Sequence, residues 1–320
     1  MKNIIFATML ASVACFPNAQ AAGDYPNRAI TLLLPFAAGG GGDVLGRFLA
    51  EKMSKELGQT FVVENKPGAG GVIGTTAVAR SAPDGYTITI GGMTTHLLAP
   101  ITNPNVPYDP VKDFKPIGGI GNSSIVMLVS KDYPANNLAD FKKLALESKN
   151  PLQYASWGQG STGHFCGAIL AQKAKIPLEH IPYKGTSDII NNMMGGHISV
   201  GFVDMATGTP PVQDGRLKAI ALCTRPSPSM PKVASYGDQG IDFDRPLSWV
   251  MYAPAGTPDA IVKKLSGVLE GVLDQSAVKE RLLSLGITPG FIASGEQHKT
   301  LVEDIAAWRA VAAEANITVN

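Results

Sequence analysis

Three observations predict an α/β fold of two lobes. A unit of strand, glycine loop and helix repeats near the N-terminus, a second series of strands and helices begins at Ile125, and the C-terminal part is helical with clear start signals. The 320 residues, 45% of them hydrophobic, can bury a substantial core and allow one large or two ordinary domains, of which two is the preferred reading.

Residues 1–22 read as a secretory signal outside that fold. Lys2 supplies the positive start, Ile4 to Phe16 the apolar stretch and Ala19-Gln20-Ala21 a small-x-small cleavage site. A lipid anchor at Cys15 is the rival, but Ser12-Val13-Ala14-Cys15 has a polar residue where a bacterial lipobox wants Leu. The mature protein is thus expected to be soluble and exported. Without Lys2 the 27 basic residues fall to 26, against 26 acidic, so the mature chain is formally neutral. No basic field points to nucleic acid or an anionic membrane, and a bound anion must be held by local dipoles.

Ile30-Thr31-Leu32-Leu33-Leu34 has the length and branching of a buried strand. Pro35, Phe36, Ala37 and Ala38 lead into Gly39-Gly40-Gly41-Gly42-Asp43, after which Val44, Leu45, Phe48, Leu49, Met53 and Leu57 recur at helical spacing. Asp43 stands where a helix start favours an acid. The glycines offer no side chains, so a ligand there would meet backbone amides at a helix N-terminus, a geometry that suits an anion. A tight turn that binds nothing satisfies the same pattern.

Phe61-Val62-Val63-Glu64 reads as the second strand, with a glycine turn at Gly68-Ala69-Gly70-Gly71 and a short helix from about Gly74 to Arg80. Tyr86-Thr87-Ile88-Thr89-Ile90 alternates into a third strand that ends at Gly91-Gly92. This alternation predicts a parallel sheet with helices on both faces. Residues 103–121 are Pro- and Gly-rich and read as a long surface excursion. The second series has strands at Ile125–Val129, Tyr154–Ser156, His180–Tyr183, Ile198–Val203 and Leu217–Leu222, with helices at Leu138–Glu147, Ser161–Lys175 and Ser187–Met194. After a Pro- and Ser-bearing segment between Arg225 and Arg245, Leu247–Tyr252 is a strand. Thr257-Pro258 predicts an N-cap with Pro at the first helical position, Ser276 a second cap, and Ser294 with Gln297 a capping box. The chain is therefore expected to cross into a second lobe and return: lobe I is 23–123 plus 226–320, lobe II is 124–225, and a cleft lies between them.

Enzyme motifs fail on spacing. Gly39 to Asp43 lacks the Gly-Lys-Ser/Thr ending of a nucleotide loop, and Gly68 to Gly74 places its last glycine one residue late for a dinucleotide fingerprint. Neither Ser156 nor Ser161 sits in Gly-x-Ser-x-Gly, and Ser229-Met230-Pro231-Lys232 falls in a proline-rich loop. The five histidines are dispersed without zinc spacing, so no metal or cofactor is expected. His180 reads as a packed or surface residue. Cys166 and Cys223 permit a disulfide in an exported protein, yet each also fits as a small buried hydrophobe.

Ser156-Trp157-Gly158-Gln159-Gly160-Ser161-Thr162-Gly163-His164 repeats the logic of the first loop: a short strand, glycines, then hydroxyls at a helix start. Two amide-rich helix starts in separate lobes make two jaws that can close on a small acid. Ser161 alone is equally an N-cap. Asp204 follows a strand, at the end where open α/β sheets place ligands, and a helix cap is its alternative role.

Tyr25-Pro26 with Arg28, Pro35 to Gly41 with Asp43, Leu57-Gly58-Gln59, Val63 to Gly71, Ala82 to Tyr86, Tyr108-Asp109-Pro110 with Asp113-Phe114, Pro182 to Gly185 and Ala253 to Pro258 together resemble the solute-binding proteins of tripartite tricarboxylate transporters, the Bug family. The resemblance spans the mature chain. It implies a type II-like periplasmic binding protein, a Venus flytrap that closes on a small organic acid and presents it to membrane transporter subunits. It implies no catalysis and no cofactor, and a monomer is expected. Carried onto this sequence, the carboxylate is held between Phe36, Ala37, Gly39, Gly40, Gly41, Gly42 and Asp43 and the loop with Ser156, Trp157, Gly160, Ser161, Thr162 and His164. Met93, Thr94, Lys184, Gly185 and Asp204 are candidates for the rim and the distal part of the ligand. The family's Gly-Thr-Asp is Gly41-Gly42-Asp43 here, and its Pro-Thr-Val-Ala-Glu block is Pro231-Lys232-Val233-Ala234-Ser235. Mono-, di- and tricarboxylates all fit such a clamp, and Trp157 offers a stacking surface for an aromatic acid. Two other readings compete: an exported hydrolase with Ser161 or Ser156 as nucleophile and His164 as base, and a sensor that reports the same ligand to a membrane kinase.

Overall fold

The computed structural model describes residues 25–243 and 247–314. The expected signal 1–22 with Cys15, and Arg245, lie outside the described residues. Two lobes, each built on one sheet, carry the fold. In lobe I, β1 (Ile30–Leu34) leads through the glycine loop to α1 (Gly41–Leu57), β2 (Phe61–Asn65), α2 (Val72–Ala79) and β3 (Thr87–Gly92). A π-helical turn, Met93–Leu98, and α3 (Ala99–Thr102) precede β4 (Phe114–Ser123). One residue later the chain enters lobe II as β5 (Ile125–Ser130).

Lobe II continues as α4 (Leu138–Glu147), β6 (Leu152–Ser156), α5 (Thr162–Ala174), β7 (Leu178–Pro182), α6 (Thr186–Met194), β8 (Val200–Asp204), α7 (Met205–Gln213) and β9 (Leu217–Leu222). The chain returns to lobe I as β10 (Leu247–Pro254), α8 (Asp259–Asp274), α9 (Ser276–Ser284), β11 (Ile287–Ala293) and α10 (Ser294–Glu314). The strand orders are β11-β4-β10-β3-β1-β2 and β7-β6-β8-β5-β9.

The sheets are mixed rather than parallel. β1 pairs in parallel with β2 and β3, but β10 runs antiparallel to β3 and β4, and β5 antiparallel to β8 and β9. The crossing explains the reversal: β4 leaves lobe I toward the cleft, whereas β10 comes back from the cleft and must run the other way. The same geometry aims the C-terminal ends of β1, β3, β6 and β8 at the cleft, the end from which α/β sheets offer ligand sites.

Four local expectations, at 114–121, Thr257, Ser276 and Ser294, are corrected, and one helix, α7, joins those expected. Residues 114–121 are strand, not loop; a Cβ at Gly118 would lie 2.7 Å from the Phe291 ring and one at Gly121 2.4 Å from Thr288 O, so these glycines admit β11 at close range and dilute the strand pattern. Helix α7 forms despite Pro210 and Pro211, with Asp204 as its cap, accepting from Thr207 N at 2.9 Å. Thr257 does not cap α8: its hydroxyl is buried without a hydrogen-bond partner, and the helix starts after Pro258. Ser294 donates its hydroxyl to Pro116 O at 2.6 Å, and Ser276 is the first residue of α9 rather than its cap. Ser161 does cap α5, accepting from His164 N at 3.2 Å.

The two cysteines are bonded, with their Cα atoms 5.7 Å apart. The bridge joins α5 to Cys223, one residue beyond β9, inside a buried cluster with Phe165, Ile169 and Tyr236. A crosslink over a separation of 57 residues removes chain entropy from the unfolded state, worth about 4 kcal/mol. The double variant Cys166→Ser, Cys223→Ser should therefore unfold at clearly lower urea concentration than the oxidised protein. Equal midpoints would show that packing, not the bond, supplies the stability.

Candidate functional site

A cavity of about 660 Å3 lies between the lobes and is lined from both. Lobe I contributes the glycine loop before α1, the turn Pro67–Gly71 before α2, Met93, Thr94 and Thr95 after β3, and Ser248 and Trp249 of β10. Lobe II contributes Trp157, Gly158, Gln159 and Thr162, the stretch 182–186 before and into α6, and Asp204 at the end of β8.

The glycine loop is braced from behind. Asp43 accepts from Gly39 N at 2.9 Å and from Asn65 Nδ2 at 2.8 Å, and pairs with Arg47 at 2.9 Å. Asn65 also donates to Phe36 O at 3.1 Å. Burial opposes the charge on Asp43, but the bonds from Gly39, Arg47 and Asn65 outweigh it and hold the carboxyl below its ordinary range. A Cβ at Gly42 would lie 2.3 Å from the Phe36 ring, so the bare backbone lets Phe36 fold back over α1. From there its ring meets Trp249 edge-on at 5.6 Å.

The lobe II loop is braced in the same way. Ser156 is fully buried and bonds to Ser161 Oγ at 3.0 Å and His180 Nε2 at 2.6 Å. His164 Nδ1 accepts from Gly160 N at 3.1 Å, which leaves the ring proton on Nε2, and its ring stacks on His180 at 4.0 Å. Trp157 lies against α5, where a Cβ at Gly163 would sit 2.6 Å from the indole.

The jaws touch. Gly41 N donates across the cleft to Asp204 at 3.3 Å, and Thr94 and Thr162 hydroxyls bond at 2.7 Å. Thr162 N donates to Thr94 Oγ1 at 3.2 Å.

Of the residues expected at the site, Phe36, Ala37, Gly40, Gly41, Gly42, Met93, Thr94, Trp157, Thr162, Lys184, Gly185 and Asp204 line the cavity. Gly39, Asp43, Ser156, Gly160, Ser161 and His164 do not; they hold the two loops from the protein side. Sequence reasoning passed over the Pro67–Gly71 turn, Thr95, Ser248 and Trp249. The turn carried a usable signal, since it repeats the first loop's order of strand, glycines and helix. Trp249 carried none, because its place depends on a strand returning from the other lobe.

A model described as the tripartite tricarboxylate transporter family receptor matches residues 45–317. The chain belongs to this family. It is 31% identical over 310 residues to the UPF0065 protein in the gbd 5' region of Cupriavidus necator, covering 97% of this chain and 94% of that protein. Among solved structures, the periplasmic binding protein BugD is 32% identical with a TM-score of 0.86, covering 92% of this chain and 99% of that one. MatC from Rhodopseudomonas palustris, with bound malate, is 30% identical with a TM-score of 0.83, covering 90% and 99%. These family receptors are solute-binding proteins, not enzymes. In this chain Ser156 points into a buried network and not into the cleft, and His164 is occupied by Gly160. Among the described residues no helix is long and apolar enough to cross a membrane and no cluster of metal ligands occurs.

The histidines behind the lobe II loop set a pH dependence. Burial lowers His164 from 6.5 to about 4 and His180 from 6.5 to about 3, with His164 adding to the latter. The unfolded chain takes up these protons near the ordinary value, so the contribution of the neutral pair is full above pH 6.5 and declines as pH falls toward 4. Thermal melts between pH 7 and 4.5 should show a falling midpoint, and His180→Asn should flatten the slope. A slope identical in the variant would remove His180 from the account.

Proposed function

We propose that the protein is a periplasmic receptor that captures a small organic acid between its lobes, closes over it and delivers it to the membrane subunits of a tripartite tricarboxylate transporter. The observation that carries this reading is a cavity into which the starts of α1, α5 and α6 converge from two lobes. Backbone amides at helix N-termini favour an anion without a dedicated cation. That suits an acid ligand on a nearly neutral chain. Malate in MatC, a protein of the same family and fold, supports a carboxylate as the ligand class.

The moving bodies in this reading are 23–123 plus 226–320 and 124–225, which together take in the two sheets. The carboxylate lies between the loop at Phe36 to Gly42 and the loop at Trp157 to Thr162, with Lys184 and Gly185 at the rim. Gly39 and Asp43, and Ser156, Gly160, Ser161 and His164, act by holding those loops in shape. The disulfide fits an oxidising compartment such as the periplasm.

A thermal-shift screen of organic acids tests the reading directly. An acid present at 100 times its dissociation constant should stabilise the protein by about 2.7 kcal/mol. If no carboxylate raises the melting point while a different solute class does, the reading falls. Asp43→Ala should weaken binding roughly tenfold, about 1.4 kcal/mol, because Gly39 and Arg47 lose their common partner. Unchanged affinity in calorimetry would reduce Asp43 to a helix-start residue.

A further inference from the structure

The charges and rings that line the cleft go further than the carboxylate class, and this step rests on the receptor reading above. Among the described residues only two charged side chains line the cavity, Lys184 and Asp204. They are not equivalent. Lys184 is exposed at the rim, where solvent weakens its field, whereas Asp204 is half-buried and already caps α7 and receives Gly41 N. The amide at the start of α1, the place best suited to an anion, thus faces a carboxylate that belongs to the protein. A ligand with one carboxylate can be held by the remaining amides and offset by Lys184. A second carboxylate would enter against Asp204 with no further cation to balance it.

The walls favour a ring. Phe36 and Trp249 come from lobe I and Trp157 and Tyr183 from lobe II, and all four are half-buried, leaving aromatic surface open to the cavity. Met93 and Leu247 add apolar surface beside them. A volume of about 660 Å3 lies in the range of sites that enclose ligands well above malate in size. Apolar and aromatic area of this kind gains from burying an apolar body and gains nothing from a hydrated second carboxylate.

We infer that this cleft selects a monocarboxylate with an aromatic or similarly ring-sized apolar body, and that Asp204 is the residue that excludes di- and tricarboxylates. Atoms of both lobes meet such a ring only when the jaws are closed, so the same body that fills the cavity also favours the closed form.

The test is calorimetry on the wild-type protein with benzoate and phenylacetate against malate, adipate and citrate, repeated on Asp204→Asn. Asparagine keeps the cap on α7 through its one oxygen, since it is as good an N-cap as aspartate, and removes the charge together with the acceptor that faces Gly41 N, a loss that weighs on every acid alike and leaves the ratio to report the charge. The aryl acids should bind at least tenfold more tightly than any polyacid, and Asp204→Asn should shrink that ratio by tenfold or more. Quenching of Trp157 and Trp249 fluorescence by the aryl acid should accompany binding. Tighter binding of malate, adipate or citrate by the wild-type protein, or an unchanged ratio in a variant with wild-type melting behaviour, overturns the inference while the receptor reading stands. Absence of binding by every carboxylate in the panel overturns both.

Discussion

Across the cleft, the amide of Gly41 and the carboxylate of Asp204 approach to 3.3 Å, and that approach exists because residue 41 has no side chain. A Cβ there would lie 2.2 Å from Asp204 Oδ1. Neighbouring contacts depend on the same economy of atoms. Gly185 presents its backbone to Ala37, with 2.8 Å left for a Cβ, and Gly70 and Gly158 face each other at the other side of the mouth. The lobes therefore meet through bare glycine backbone, which faces a side chain at Asp204 and Ala37 and another backbone at Gly70 and Gly158, and helix N-termini of both lobes share one small volume. A side chain at Gly41 or Gly185 would hold the jaws apart, whereas a Cβ at Gly158 would stand at ordinary contact distance, 3.5 Å from Gly70 N.

The two ligand loops are stiffened by groups that never reach the ligand space. Asp43, Asn65 and Arg47 tie the first loop, while Ser156, Ser161, His164 and His180 tie the second. A loop of glycines left to itself would lose much conformational entropy on ordering around a ligand. Here that ordering is already done in the fold, by side chains hydrogen-bonded to one another and to the loop backbone. This division of labour also explains why Asp43, Ser156, Ser161 and His164 face away from the cavity: amides make the contacts, and side chains keep the amides aimed.

Much of this was legible in the sequence. The strand, glycine loop and helix at 30–57, the cap at Ser161 and the two-lobe alternation follow local rules, because burial pattern and caps are decided within a few residues. What local rules could not give was anything decided by the partner lobe. The antiparallel direction of β10 follows from the return crossing, and Trp249 reaches the cleft only through it. β4 hides behind Gly118, Gly119 and Gly121, which admit close strand contact, and β11 behind Pro289 and Gly290, which lie at a break in its register with β4. Helix α7 hides behind Pro210 and Pro211, and its existence depends on Asp204, the same carboxylate that crosses to Gly41.

The crossings between lobes lie side by side. Ser124, between β4 and β5, accepts from Thr224 N at 3.3 Å and bonds to its hydroxyl at 2.9 Å, and Cys223 N donates to Ile125 O at 2.7 Å. The disulfide then ties the returning segment to α5, whose first residue, Thr162, meets Thr94 of the other lobe. Trp308 of α10, a helix that starts on lobe I, reaches Phe165 of the same α5 at 6.2 Å. Helix α5 thus joins the crossing at Cys166, the returning lobe I helix at Phe165 and the ligand space at Thr162. In the receptor reading proposed above, a rotation at Ser124 and Thr224 would reach the mouth through α5, so that displacement of Thr162 from Thr94 and separation of Gly41 from Asp204 would be two readings of a single motion.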